Sequence, residues 1–269
     1  MKSTVVVSVY RDVPALRSVL TALSLQSTND FEVIISEDGE SSEMKDYLRA
    51  QNAFPRRHLV HLTQPDVGFR KNRALNRAIV HAATNHLVFI DGDCVPAVDF
   101  VRAHQIACAE RFITAGRRLE LGPVMTKKLV ESPELVKSLS TFGGYLKWAP
   151  RILVDGGKNI ESGLRIPWLD AHRSKRHIEL VGCNFSAPRF ALEGVNGFNE
   201  EYESPGLGED SDIHWRMTAK GSQTRSVKFR ATLFHLFHPR NYAVSASNFE
   251  IFSRCQRDHP LVAPLGLKR

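Results

Sequence analysis

The sequence predicts an α/β domain with a mainly parallel sheet and helices on both of its faces. Over roughly the first hundred residues, short β-branched runs alternate with segments of helical periodicity, and this alternation is typical of doubly wound parallel sheets. The chain has 269 residues, of which 42% are hydrophobic and 24% charged. That composition suits one domain with a substantial core.

The predicted strands and helices follow one another along the chain. Strands are expected at 4–10, 31–36, 59–62 and 86–90. A helix is expected after each of the first three strands. The first helix is indicated by the apolar spacing of Leu16, Val19, Leu20 and Leu23, the second covers 42–52, and the third is indicated by the spacing of Leu75, Ala78, Ile79 and Ala82. Asp12 and Pro14 supply the cap and the first turn of the first helix. A further helix is expected over 97–111.

The pattern is weaker in the second half. Residues 125–177 carry scattered Gly, Pro and Trp with little periodicity, and we interpret them as an elaboration of the same domain. Regular structure is expected to resume with a strand over 178–186 and a short helix at 188–193. A helix over 209–220 and two short strands within 224–237 follow. We therefore expect a single domain over residues 1–269.

Charge and cysteine content limit the classes of function. The formal net charge of +7 favours an anionic partner, which leaves nucleic acid, an acidic membrane surface or phosphorylated substrates. No aromatic-rich RNA-binding pattern accompanies the basic residues, so nucleic acid is not expected. Four scattered cysteines without a Cys-x-x-Cys pair indicate reduced thiols. With only short apolar runs and no signal-peptide pattern, we expect a cytoplasmic protein without a membrane span.

Polar residues follow three of the predicted strands, at the edge where ligands bind in open α/β sheets. They are Tyr10-Arg11-Asp12, 36–39 and Asp91-Gly92-Asp93. Two carboxylates at a strand end, with a glycine between them, suit a divalent cation that also holds a diphosphate. An ordinary turn with solvated acids is the alternative.

A second acidic cluster, Gly208-Glu209-Asp210-Ser211-Asp212, begins the helix over 209–220. A carboxylate there, ionised near neutral pH, can act as a general base towards a hydroxyl. Simple helix capping by acidic residues is the alternative.

Two histidines, His235 and His238, lie in an apolar, strand-like segment. One imidazole could complete the coordination of a metal held by carboxylates. His235 is the first choice and His238 the reserve, and the alternative is a hydrogen-bonded core histidine.

The segment Gly68-Phe69-Arg70-Lys71-Asn72-Arg73 opens a predicted helix, so its N–H groups and cations could face a phosphate. A solvated basic helix start is the alternative. Trp168 and Trp215 could stack on sugars, and core or surface packing is the alternative that the residue type favours for each.

Together these segments resemble the inverting glycosyltransferases of family 2, which have the Rossmann-like GT-A fold, and the resemblance covers most of the chain. Residues 5–10 with 25–27 look like the family's opening strand and helix, 31–39 is similar to its uracil-binding strand, and 91–93 is similar to its Asp-x-Asp motif. The segments 182–186, 195–200 and 208–210 look like the carboxy-terminal region shared with galactosyl- and N-acetylgalactosaminyltransferases.

The resemblance implies a role for each matched residue. Asp210 is the expected base, Glu209 holds a sugar, and Asp93 with His235 binds Mn²⁺ or Mg²⁺. Residues 1–124 are the expected nucleotide-sugar-binding half, and residues 125–269 the acceptor-binding and catalytic half. The expected donor-binding residues are Val9, Tyr10, Arg11, Asp38, Gly68, Arg70, Asn72, Arg73, Asp91, Gly92 and Asp93. The expected acceptor-binding residues are Trp168 and Trp215, with residues 156–177 as a lid.

The implied activity is transfer of one sugar from a UDP-sugar, with galactose or N-acetylgalactosamine favoured, to a glycan or lipid-linked saccharide in surface polysaccharide assembly. Such acceptors lie at membranes, so the basic surface also suggests peripheral contact with an anionic membrane at its inner face. Glu37 replaces a common Asp, Arg11 replaces a common Asn, and no Gln-x-x-Arg-Trp follows the acidic cluster. These departures argue against a processive synthase.

Two other functions remain alternatives. One is a degenerate, non-catalytic module that binds sugar nucleotides or glycans. The other is a sugar-nucleotide pyrophosphorylase, which is disfavoured because residues 13–16 provide no glycine-rich nucleotide loop.

Overall fold

The computed structural model describes residues 2–166, 178–239 and 245–268. Its strands are β1 (Ser3–Val9), β2 (Phe31–Glu37), β3 (Leu59–Leu62), β4 (His86–Asp91), β5 (Cys94–Pro96), β6 (Phe112–Ala115), β7 (Arg117–Glu120), β8 (Phe185–Pro188), β9 (Gln223–Ser226) and β10 (Thr232–His235). Its α-helices are α1 (Val13–Ser24), α2 (Ser42–Ala50), α3 (Lys71–His81), α4 (Phe100–Ala107), α5 (Pro123–Glu131), α6 (Leu135–Leu139), α7 (Phe142–Val154), α8 (Arg189–Gly194), α9 (Glu209–Ala219) and α10 (Ala246–Asp258). Short 3₁₀ helices cover Arg56–His58 and Ile160–Gly163.

The main sheet has seven strands in the order β3-β2-β1-β4-β8-β6-β9. Strands β3, β2, β1 and β4 are mutually parallel, and β8 runs antiparallel to both β4 and β6. Ser8 lies opposite Ser36 on one side and Asp91 on the other, so three strands end together. The predicted mixed α/β fold with a mainly parallel sheet is confirmed.

The first strands are buried on both faces, which explains their uninterrupted apolar sequences. Val5 and Val7 belong to the core layer that contains α1, whereas Val6 belongs to the layer that contains α3 and α9. All three valines have no exposed surface. This two-sided burial fixes the sheet and thereby the positions of the residues that follow its strands.

A smaller sheet with the order β5-β10-β7 lies beside the main one. Strand β10 pairs antiparallel with β5, and His235 lies opposite Cys94. The N–H of Leu236 donates to the carbonyl of Asp93 at 2.9 Å. The pairing therefore brings the histidine segment next to the acidic pair that follows β4.

Several predicted boundaries were wrong, mainly after residue 97. The helix expected over 97–111 is the shorter α4, and the strand expected over 178–186 is formed only at β8. Strands β5, β6 and β7 and helix α10 were not predicted, and α5, α6 and α7 occupy a segment that was expected to lack regular structure. Strand β7, with the sequence RRLE, has little intrinsic strand tendency, and its pairing with β10 decides its conformation.

Within the described residues, no helix is both long enough and apolar enough to cross a membrane.

Candidate active site

A cleft of about 620 Å³ lies at the edge where β1, β2 and β4 end. The predicted donor-binding residues that line it are Val9, Tyr10, Asp38, Gly68, Asp91, Gly92 and Asp93. The reserve histidine, His238, lines it too. Ser8, Asp12, Asp66, Phe69 and Lys71 complete the lining. None of them was among the individually named donor-binding residues, although Phe69 and Lys71 belong to the segment 68–73 that was expected to face a phosphate.

Gly92 allows the acidic pair to approach β1 closely. Its N–H donates to the carbonyl of Ser8 at 2.7 Å, and a Cβ at this position would lie 2.6 Å from Cγ1 of Val9. Any other residue would push the loop away from the strand. The glycine thus holds Asp91 and Asp93 on either side of a backbone contact with β1.

Asp38 anchors the other side of the cleft. One of its carboxylate oxygens accepts from the N–H of Arg70 at 2.7 Å, and the other accepts from Nε2 of Gln64 at 2.7 Å. The residue is only 6% exposed. Asp38 therefore also fixes the chain just before α3 begins at Lys71.

Lys71 links the two acidic clusters. Its Nζ lies 3.0 Å from Asp91 and 3.1 Å from Glu209. Burial alone would lower the pKa of Lys71, but the two carboxylates outweigh it and raise that pKa well above its usual value. For Glu209, burial raises the pKa, and Lys71 opposes this effect.

The sequence contained a signal for Lys71. A cation in the first turn of a helix is disfavoured by the helix dipole unless negative charge faces it. Lys71 is the first residue of α3, so its position indicated that acidic groups or a phosphate lie nearby. The expectation that segment 68–73 faces a phosphate included Lys71, but Arg70, Asn72 and Arg73 were the polar residues named individually as donor-binding.

Asp93, His235 and His238 form a cluster suited to a metal ion. Oδ2 of Asp93 lies 3.4 Å from Nε2 of His235 and 3.2 Å from Nε2 of His238. Burial would raise the pKa of Asp93, but the two imidazoles hold it well below its usual range. One ligand atom from each residue lies within 4.8 Å of the other two.

This donor set fits a divalent cation. One carboxylate and two imidazoles are ligands that Mn²⁺ accepts, and a metal–ligand bond of about 2 Å permits ligand atoms this far apart. The first-choice and reserve histidines thus lie together. A second cluster, Asp91, Cys94 and Cys183, is a poorer metal site because Nη1 of Arg118 already lies 3.5 Å from Sγ of Cys183.

Asp210 lies in the first turn of α9, directly after Glu209. Its Oδ2 accepts from the N–H of Gly182 at 2.9 Å. The helix start is set by Gly208, which has a φ of 106° and packs on Tyr202 so closely that a Cβ would lie 2.1 Å from the ring. Asp210 is not among the cleft-lining residues, so its role as a base stays a prediction.

Three residues expected to bind the donor lie elsewhere. Arg70, Asn72 and Arg73 line a separate pocket of about 250 Å³. The amide of Asn72 is 1% exposed and donates to the carbonyl of Asn199 at 2.8 Å. Successive helical residues are rotated by about 100°, so only one residue of this turn, Lys71, faces the cleft.

The remaining predicted residues are at the rim or away from it. Arg11 pairs with Asp66 and lies 5.0 Å from the centre of the Tyr10 ring, with a positive φ of 54°. Trp215 packs near His259, with their ring centres 5.8 Å apart, and is not a cleft-lining residue. Trp168 and residues 167–177 of the expected lid lie outside the described residues.

Two family models match this chain. Residues 4–112 match "Glycosyl transferase family 2", and residues 169–239 match "N-terminal domain of galactosyltransferase". The first range contains Asp91 and Asp93, and the second contains Asp210 and His235. The first of these stretches is thus similar to glycosyltransferase family 2, and the second is similar to a galactosyltransferase domain.

Two curated relatives are named as glucosyltransferases. The chain is 24% identical over 280 residues to the validoxylamine A glucosyltransferase of Streptomyces hygroscopicus subsp. jinggangensis (strain 5008), covering 97% of this chain and 62% of that protein. The protein of the same name from subsp. limoneus is also 24% identical over 280 residues, covering 97% of this chain and 57% of its own length. The chain therefore spans about six-tenths of the length of these relatives.

Solved structures share the fold. S. aureus TarS 1–349 in complex with UDP matches with a TM-score of 0.61 at 14% identity, covering 99% of this chain and 68% of that one. GalNAc-T7 with UDP, GalNAc and Mn²⁺ matches with a TM-score of 0.63 at 11% identity, and the match covers 96% of this chain and 48% of that one. Mannosyltransferase PcManGT from Pyrobaculum calidifontis, in complex with GDP-Man and Mn²⁺, matches with a TM-score of 0.59 at 16% identity. The match covers 97% of this chain and 61% of that one. The chain thus has the GT-A fold.

Proposed function

We propose that this chain transfers one sugar from a UDP-sugar to an acceptor hydroxyl with the help of Mn²⁺ or Mg²⁺. The observation that carries the proposal is the cluster of Asp93, His235 and His238 at the edge of a cleft large enough for a nucleotide sugar. A cation there would neutralise charge on the departing diphosphate. Two relatives in this fold were solved with Mn²⁺ and a nucleotide or nucleotide sugar, which supports the same chemistry here.

The residues in and beside the cleft have separate proposed roles. Asp93, His235 and His238 would hold the cation, and Asp38 and Asp91, which line the same cleft, would face the nucleoside. Lys71 keeps Asp91 and Glu209 together, which places the first turn of α9 beside the donor site. Asp210, in that turn, accepts the proton of the attacking hydroxyl, and direct displacement at the anomeric carbon inverts its configuration.

The donor sugar and the acceptor follow from the resemblance to related enzymes. We propose galactose or N-acetylgalactosamine as the sugar, because the second family match is to a galactosyltransferase domain. We propose a glycan or lipid-linked saccharide of a surface polysaccharide as the acceptor. The net charge of +7 supports work beside an anionic membrane.

The first test is calorimetric titration of UDP into the purified protein, with and without Mn²⁺. Wild type should bind UDP only when Mn²⁺ is present, and Asp93→Ala should lower that affinity at least about a hundredfold because the cation loses its carboxylate ligand. Asp46→Ala is the matched control, since this exposed carboxylate lies on α2 outside the cleft. GDP is titrated in parallel because one relative was solved with GDP-Man.

The outcomes are distinct. Mn²⁺-dependent binding that is lost in Asp93→Ala and retained in Asp46→Ala supports the donor site. Failure of wild type to bind UDP would contradict the proposal, and binding of GDP alone would change the proposed nucleotide.

A further inference from the structure

Helix α7 carries an apolar stripe on its outer side. Phe142, Leu146, Ala149 and Leu153 recur at i, i+4, i+7 and i+11, which places them on one helical face. Phe142, Leu146 and Leu153 are 55%, 48% and 62% exposed. The neighbouring face of α7, roughly 80° away at about 100° per residue, contributes Tyr145 and Ile152 to the core, and Ala149 also packs against that core. The exposed residues therefore widen the apolar face of α7 beyond the part that its packing uses.

Helix α5 extends this surface. The carboxylate of Asp155, directly after α7, accepts from the N–H groups of Val124 at 3.1 Å and of Met125 at 2.8 Å. These bonds join the start of α5 to the end of α7. Val124 is 68% exposed and Val154 is 90% exposed, so both add apolar surface where the two helices meet.

Cations of α5 and α7 lie together beside Trp148. Nζ of Lys128 lies 5.4 Å, and Cζ of Arg151 5.0 Å, from the centre of the Trp148 ring, so residues from α5 and α7 form one basic margin. Between residues 123 and 158 the sequence has six cations and three acids. The cations are Lys127, Lys128, Lys137, Lys147, Arg151 and Lys158, and the acids are Glu131, Glu134 and Asp155. Of the acids, Asp155 is already used to cap α5.

We infer that this surface, the α5–α7 face, binds an anionic lipid bilayer. The face consists of Val124, Phe142, Leu146, Leu153 and Val154 with Lys127, Lys128, Lys147 and Arg151. Exposed Phe, Leu and Val side chains with a margin of Lys and Arg are typical of helices that lie in the membrane interface. The positive margin complements lipid phosphates. It argues against a purely apolar protein partner that has no acidic residues.

The α5–α7 face is coupled to the candidate active site. The hydroxyl oxygen of Thr126 on α5 accepts from the N–H of Phe237 at 2.7 Å. Phe237 lies between the two candidate metal ligands, His235 and His238, and is 50% exposed. A membrane bound to this face therefore lies next to the cleft, and in this respect the inference rests on the proposed transfer to a lipid-linked acceptor.

Vesicle flotation tests the inference. Wild type should float with vesicles of phosphatidylcholine and phosphatidylglycerol at low salt, and much less with phosphatidylcholine alone. The double variant Leu146→Glu/Leu153→Glu should bind the anionic vesicles at least about tenfold more weakly, because it places charge on the apolar stripe. Lys147→Glu/Arg151→Glu should also weaken binding, and added salt should reduce the wild-type binding further.

Val80→Glu is the matched control because Val80 is 64% exposed on α3, outside the α5–α7 face. Each variant is also titrated with UDP and Mn²⁺, so that a failed donor site is not confused with a failed membrane site. Weaker vesicle binding with unchanged UDP binding supports the inference. Absence of wild-type binding to anionic vesicles, or equal binding by Leu146→Glu/Leu153→Glu, overturns it. Concentration-dependent self-association of wild type that the double variant loses would assign the face to a second copy instead.

Discussion

Among the described residues, two polar clusters that each contain two histidines differ in access and in charge. The cleft cluster, Asp93, His235 and His238, combines a carboxylate with two imidazoles at the border of a large cleft. The sheet cluster is closed, and hydroxyl and amide groups surround its histidines. Its members are Ser3, His86, His104, Thr114, Asn184 and Ser186.

The sheet cluster keeps its histidines neutral. Nδ1 of His86 lies 2.8 Å from the hydroxyl of Ser3, and Nε2 of His104 lies 3.1 Å from Oδ1 of Asn184. Burial lowers the pKa of His86 to about 4 and that of His104 to about 3. The same residue type thus serves the fold in one cluster and the proposed chemistry in the other. Access and neighbouring charge make the difference.

Among the variants that test the proposed chemistry of the cleft against the structural role of the sheet cluster, the largest effect on activity is expected at Asp210. Asp210→Asn keeps the size of the side chain but removes the proton acceptor. We expect release of UDP from UDP-galactose or UDP-N-acetylgalactosamine to slow roughly 100- to 10,000-fold, with UDP affinity and thermal stability unchanged. Unchanged turnover would favour the alternative of a non-catalytic binding module, and an equal loss of UDP binding would contradict the assigned role.

A smaller effect is expected at Lys71. Lys71→Met leaves Asp91 and Glu209 without their shared cation, and the two carboxylates then repel the diphosphate. Hydrogen bonds to charged groups contribute about 1.5–3 kcal/mol, so UDP affinity should fall roughly thirtyfold in calorimetry. Lys71→Arg, which keeps the charge, should retain most of the affinity. Equal losses in both variants would mean that the shape of the side chain matters and that its charge does not.

The sequence predicted the sheet better than the site. Strands β1, β2 and β4 are apolar runs buried on both faces, so their positions and the polar residues after them could be inferred from local pattern. The histidine cluster depended on the pairing of β10 with β5, which no local pattern reveals. Choosing between His235 and His238 was therefore beyond sequence reasoning, and the structure places both beside Asp93.

The acidic run at the start of α9 shows a further limit. Asp210 and Asp212 are two residues apart, yet Asp212 is 1% exposed and accepts from Nε of Arg216 at 2.9 Å. Arg216 also donates to the carbonyls of Val195 and Gly197. One aspartate is thus structural and the other is a candidate base. Their sequence surroundings are similar, and only tertiary packing separates them.

The smallest expected effect concerns the sheet cluster and the pH dependence of stability. Because the folded-state pKa values of His86 and His104 lie below the unfolded value of about 6.5, the unfolded chain binds more protons between pH 6.5 and pH 4. The free energy of unfolding should therefore fall as pH falls, by about 1 kcal/mol for each histidine between pH 6.5 and 5.5. Urea unfolding measured at both pH values checks this.

Two variants separate the sheet cluster from the other titrating groups. His104→Gln should reduce the loss of stability between pH 6.5 and 5.5, whereas His81→Gln should not, because His81 is an exposed residue that bonds within its own helix. If His104→Gln does not fold, NMR titration of the wild-type imidazoles gives the same information. Protonation of His104 in the folded protein near pH 6 would show that the sheet cluster accommodates charge, and the contrast with the cleft would then rest on solvent access alone.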